Sequence, residues 1–141
     1  MAEPHNLRAT CFRRVAGWGL ACYWMAIFSL THVPMPPKTL PSGSDKLAHS
    51  GMYFGLTFLI GVWISTTQRV TVRTLSVIWA VSAVYGVGDE LLQIPVGRTA
   101  DFHDWMADCA GGLLGIVLFV LSRSCWKRFR FATDRPSPID R

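Results

Sequence analysis

Charge is scarce in this sequence. Only 16% of its 141 residues are Asp, Glu, Lys or Arg, against roughly 25% in an average soluble domain, and 50% are hydrophobic. That balance argues against a water-soluble globule and for a membrane protein. Cysteine is sparse too: Cys11, Cys22, Cys109 and Cys125 contain no CxxC pair and lie in or beside apolar runs, so they indicate neither a zinc site nor a disulfide framework. No repeat at a solenoid period is present. The formal net charge is +5, but the bases form short clusters next to apolar runs, without the aromatic-interleaved basic face that nucleic-acid binding needs. Nucleic acid is therefore not an expected partner.

What the chain does have is long apolar runs. Val15 to Val33 is uncharged, and at about 1.5 Å per residue it makes roughly 28 Å of helix, enough to cross a bilayer core. Basic residues before an apolar run also suit a signal peptide. Gly19, however, stands where an aliphatic residue is usual before Cys22, and no small-x-small cleavage site follows. The run is therefore read as a span. Pro34, Pro36, Pro37 and Pro41 then make an extended connection, and Ser44 or Asp45 is placed to cap the next helix. Pro95 and Gly97 should stop a third helix, and Asp101 or Asp104 should cap a fourth.

The expected fold is thus an all-α membrane protein, a four-transmembrane-helix bundle. Its spans fall at about 15–33, 47–65, 75–93 and 104–122, between an N-terminal segment 1–14 and a basic, disordered tail 123–141. Four crossings put both termini and the loop after the second span on one side. That side would hold eleven of the fourteen Lys and Arg residues, the other only Lys38, Lys46 and Arg98. By the positive-inside rule both termini are cytoplasmic.

The orientation sends two polar stretches outward: Asp45 to His49, and Asp89 to Asp108. Between them they carry Asp45, Asp89, Glu90, Asp101, Asp104 and Asp108. A charged side chain at the bilayer centre costs on the order of 3 kcal/mol on insertion scales, so these carboxylates belong near the outer interface or around a wet cavity. Asp45 and His49, Asp89 and Gln93, and Asp104 and Asp108 are each four residues apart, so each helix offers one polar stripe, with Tyr53 one turn below His49. Gly51 with Gly55, and Ala107, Gly111 and Gly115, repeat at the spacing that lets membrane helices approach closely, which would pair the second and fourth spans.

The stretches DKLAHSGMYFGL and DELLQIPVGRTADFHDWMADCAGGLLG resemble the VanZ-like family of small bacterial integral membrane proteins. The family's pattern places Asp-Lys-x-x-His-Phe, Asp-Glu-x-x-Gln, Gly-Arg and Asp-x-x-x-Asn-x-x-Gly in that order. Asp45, Lys46, His49, Asp89, Glu90, Gln93, Gly97, Arg98 and Asp104 match it over roughly residues 20–122. Ser50 replaces the usual aromatic, and Asp108 stands where the family has Asn. The resemblance implies a cytoplasmic-membrane protein and a connection with resistance to glycopeptide-type antibiotics.

Two functions stay open on the residues. In an envelope-facing enzyme, His49 oriented by Asp45 would be a general base and Glu90 an acid, while Lys46, Asp89, Gln93, Arg98, Asp104 and Asp108 would bind the ligand. An anionic lipid-linked cell-envelope intermediate or a glycopeptide antibiotic is the expected ligand, alongside membrane lipids. In a non-catalytic binding or interaction module the same polar cluster would be structural. Asp101, His103, Asp104 and Asp108 with His49 and Glu90 form an oxygen-rich set that suits several divalent ions. Their spacing matches no HExxH-type motif, so no metal and no organic cofactor is assigned. Oligomeric state is not legible.

Overall fold

The structure, a computed structural model, describes residues 4–32 and 43–133. It is all-helical, with four helices: α1 Pro4–Thr31, α2 Ser44–Ser65, α3 Val72–Gln93 and α4 Phe102–Thr133, a short 3-10 turn Ile94–Val96 following α3. Three of them contain stretches long and apolar enough to cross a membrane, Ser44–Ser65, Val72–Val96 and Phe102–Trp126. The proline-rich connection expected after the first apolar run lies outside the described residues.

Two boundaries differ from expectation. The segment 1–14 was expected to precede the first helix, yet α1 begins at Pro4, because proline is tolerated in a first turn, where its missing N–H has no partner to lose. The basic tail was expected to be disordered from residue 123, yet α4 continues to Thr133. Arg and Lys are good helix formers, and no proline interrupts the chain before Pro136.

Glycine brings α2 and α4 into backbone contact. A Cβ added at Gly111 would land on the Ser50 carbonyl, and one at Gly115 on the Phe54 carbonyl. Thr57 Oγ1 donates to the Gly112 carbonyl at 2.8 Å in the same seam. The Gly51/Gly55 pair divides differently: Gly55 receives the Tyr23 ring of α1, while Gly51 faces nothing within 4 Å. Tyr23 completes the α1–α2 contact by donating to the Met52 carbonyl at 3.1 Å. Two indole N–H groups tie α3 to α4, Trp105 to the Ala83 carbonyl at 2.9 Å and Trp79 to the Cys109 carbonyl at 3.1 Å.

The interior is unusually polar. Among the described residues nine polar or charged side chains are buried against six hydrophobic ones, whereas Val77, Val81, Val84, Leu113, Leu114 and Leu121 are exposed. A bundle in water would bury the second set and expose the first. The inversion fits an apolar surrounding medium, in which the helices solvate their polar groups on one another.

Candidate functional site

The buried titratable residues gather at one end of the bundle, where α1 and α3 finish and α2 and α4 begin. Local sequence sets the geometry. Gly97 adopts φ 81°, a left-handed conformation that glycine accepts without a Cβ clash, and its N–H closes on the Ile94 carbonyl at 3.1 Å. The Arg98 N–H then reaches the Gln93 carbonyl at 3.2 Å, so Pro95 and Gly97 end the helix and turn the chain across the bundle end. Of the two expected caps for α4, Asp101 serves: its Oδ1 accepts from the His103 N–H at 2.9 Å. Asp104 enters the first turn instead and is buried. At α2 neither Ser44 nor Asp45 is the capping residue. Gly43, at φ 94°, precedes the helix without a side-chain cap bond, which leaves Asp45 in the first turn.

Two buried clusters result. In the first, both oxygens of Asp89 are used: Thr31 Oγ1 donates to Oδ1 at 3.1 Å and Gln93 Nε2 to Oδ2 at 3.3 Å. His32 Nδ1 lies 3.8 Å from the same Oδ1. This joins the end of α1 to the end of α3. Arg98 supports the joint by donating from Nη1 to the Thr31 carbonyl at 3.2 Å, where a cation is favoured by the negative end of the α1 dipole. Among the described residues Arg98 has no carboxylate ion-pair partner.

In the second cluster, His49 Nδ1 is 3.1 Å from Asp108 Oδ1 and 3.8 Å from Glu90 Oε1. Asp108, not Asp45, therefore orients the imidazole. The Gly111 contact draws α4 onto α2 one turn below, while Asp45 sits half-buried at the outer end of α2. Glu90 Oε2 accepts from the Asp101 N–H at 2.8 Å. Glu90 Oε1, Asp108 Oδ2 and Tyr53 Oη are buried with no hydrogen-bond partner. A Cβ on Gly86 would lie 3.2 Å from that Asp108 oxygen and 3.5 Å from the Tyr53 hydroxyl, so both unpartnered groups border the same small space beside α3.

Lys46 spans the outer rim, with Nζ donating to Asp104 Oδ1 at 3.1 Å and Asp101 Oδ2 at 3.3 Å. The Asp101 carboxyl is held down to about 2 by the His103 backbone N–H, the His103 ring and Lys46. A cavity of about 310 Å³ opens between α3 and α4, lined by Val87, Glu90, Leu91, Ala100, Asp101, Phe102 and Trp105. It is an apolar groove with Glu90 in its wall.

The structure therefore brings His49, Glu90 and Asp108 together, with Lys46 and Asp104 beside them at the rim, and assigns Asp89, Gln93 and Arg98 to the joint with α1. Thr31 was not expected in the site. Its one signal in the sequence is a polar pair, Thr31 and His32, ending the first apolar run. Gly86 and the Asp101 backbone N–H gave no signal, because their roles depend on how α3 and α4 cross.

Apolar helices enclosing a buried set of titratable groups at one end define a membrane-protein architecture. A family model described as VanZ/LLP1 matches residues 23–123, and the chain belongs to that family. No curated protein and no solved structure matches it.

Proposed function

We propose that this chain is a multi-pass protein of the bacterial cytoplasmic membrane that takes an anionic, lipid-linked cell-envelope ligand into a site on its extracytoplasmic side. On this reading α1 is the fourth crossing helix, its apolar part starting at Val15, and both termini lie in the cytoplasm, as the distribution of Lys and Arg argues. A contribution to glycopeptide-type antibiotic resistance would act through that ligand.

The observation that carries the reading is the position of Glu90. Glu90 is one of the residues lining the apolar groove between α3 and α4, and its Oε1 stands 3.8 Å from His49 in the buried cluster. An acyl or prenyl chain suits the groove of Val87, Leu91, Phe102 and Trp105, which places the attached head group beside Glu90. Arg98, partly buried and without a carboxylate partner among the described residues, is the cation that would meet an anionic head, with Lys46 at the rim. His49, held by Asp108, and Glu90 are the proton-exchanging groups, and Asp45 stands at the entrance. Asp89, Gln93 and Asp104 keep the helix ends in register around the ligand. The alternative, a non-catalytic interaction module with a structural polar cluster, is favoured by the Asp89 group alone, since both of its oxygens are partnered.

Farnesyl phosphate and farnesol, which share a chain and differ in the anion, distinguish the two. Purified full-length protein in detergent should bind the phosphate at least about tenfold more tightly by native mass spectrometry, a difference of about 1.4 kcal/mol. Arg98→Gln should remove the difference. Equal affinity of the wild type for the two compounds would sink the proposal.

A further inference from the structure

His49, Glu90 and Asp108 come from three different helices, α2, α3 and α4, yet each offers a ligand atom within 4.8 Å of the others, and all three residues are buried. We propose that they form a site for one divalent first-row transition-metal ion.

Three observations support the metal. The first is geometry: bonds of about 2.0–2.2 Å put two ligands of one ion roughly 3.3–4.3 Å apart in tetrahedral or wider arrangements; His49 Nδ1 lies 3.8 Å from Glu90 Oε1, inside that range, and 3.1 Å from Asp108 Oδ1, just short of it. All three ligand atoms lie within 4.8 Å of one another. The second is hydrogen bonding. Glu90 Oε1 and Asp108 Oδ2 have no partner, although Glu90 is only 5% and Asp108 1% exposed. Buried carboxylate oxygens are normally satisfied, and a cation held by Glu90 Oε1 and by both oxygens of Asp108 satisfies them. The third is charge. The nearby lysine, Lys46, is already engaged by Asp101 and Asp104, so among the described residues His49 alone pairs with Glu90 and Asp108, and a divalent ion balances the two carboxylates.

One imidazole and two carboxylates suit Zn²⁺, Mn²⁺ or Fe²⁺ better than Ca²⁺, which prefers six to eight oxygens. The Asp101 N–H on Glu90 Oε2, at 2.8 Å, fixes the carboxylate from behind, as outer partners of metal ligands commonly do. Three protein ligands leave at least one position open, and Glu90 sets that position at the wall of the apolar groove. The inference deepens the reading of the site given above and rests on it for what would occupy the open position. The ion itself is argued from this geometry alone.

The test uses full-length protein purified in detergent, stripped with EDTA, loaded separately with Zn²⁺ and Mn²⁺, desalted, and assayed by inductively coupled plasma mass spectrometry. About one ion of at least one of the two metals should remain per chain, with retention at least about tenfold weaker in Glu90→Gln and in Asp108→Asn. Cys125→Ser, at an exposed position toward the other end of α4, should retain the wild-type amount. Should the variants fail to fold, X-ray absorption of the wild type loaded with the retained metal decides by itself, expected as one imidazole and otherwise oxygen ligands. Desalted wild type that keeps neither metal, wild-type retention in folded Glu90→Gln, or a coordination shell without imidazole would each overturn the proposal. Because metal retention is measured without any lipid, and the farnesyl phosphate comparison can be run on stripped protein, failure of one leaves the other standing on its own result.

Discussion

The two buried carboxylate clusters at this end of the bundle lie on adjacent residues of one helix and are built on opposite principles. Asp89 has a donor for each oxygen, and its partners Thr31 and Gln93 lock α1 to α3. Glu90, the next residue, faces the other way, into α2 and α4, and leaves Oε1 without a partner, as Asp108 leaves Oδ2. An unmet buried acceptor costs roughly 1–3 kcal/mol, and a fold under selection for stability alone would remove that cost. The cluster whose carboxylate is fully partnered therefore reads as a joint and the one whose carboxylates are not as a site, although the two start from adjacent residues of α3.

The largest expected effect breaks the joint. Asp89→Ala leaves Gln93 Nε2 without its carboxylate partner and returns the Thr31 hydroxyl to the Phe28 carbonyl, 3.2 Å away, and thermal unfolding in detergent should show a loss of about 1–3 kcal/mol. If Asp89→Ala unfolds like the wild type but loses ligand discrimination, the roles of the two clusters are exchanged. A smaller effect sharpens the contrast. Glu90→Gln keeps the shape and, with its amide oxygen toward Asp101, keeps that hydrogen bond. Its stability should stay within about 1 kcal/mol of wild type, while the preference for farnesyl phosphate over farnesol changes by more than about threefold, read by the same mass spectrometry. A variant destabilised as much as Asp89→Ala would make Glu90 a second joint.

Much of this was legible beforehand, and the failures share a cause. The helical stripes of Asp89 with Gln93 and of Asp104 with Asp108 follow from four-residue spacing, and the stop at Pro95 and Gly97 follows from local backbone chemistry. Both are properties of one segment. Which acid touches His49 is decided by contact between segments. Asp45 was the natural choice because it is one turn away, but Gly111 and Gly115 bring α4 so close to α2 that Asp108 arrives first. The spacing of small residues indicated that the second and fourth spans pair, as they do, but not which residues meet, and Gly51, which shares the motif, turned out to face nothing. Likewise Arg98 was expected among the carboxylates and instead reaches a carbonyl at the end of α1, since the direction in which the chain leaves Gly97 depends on a left-handed turn that the sequence permits without aiming it.

The smallest effect concerns the half-exposed pair of Lys46 and Asp101 at the rim. Asp101 caps α4 and meets Lys46, and its folded value is depressed to about 2, against about 3.9 for a free aspartate. A depressed carboxylate stabilises the folded state when ionised, so its contribution is complete above about pH 4 and is lost as the pH falls through the interval down to about 2. Asp101→Asn retains a side chain able to cap the helix but removes the charge. The melting temperature of the wild type should therefore exceed that of the variant at pH 7 by a small margin, reduced by solvent screening of the exposed pair with Lys46, and the two curves should converge as the pH approaches 2. A constant gap across that range would place the stabilisation in the cap geometry and not in the carboxylate charge. The rim would then hold the site closed by backbone hydrogen bonding alone, through the Asp101 N–H on Glu90.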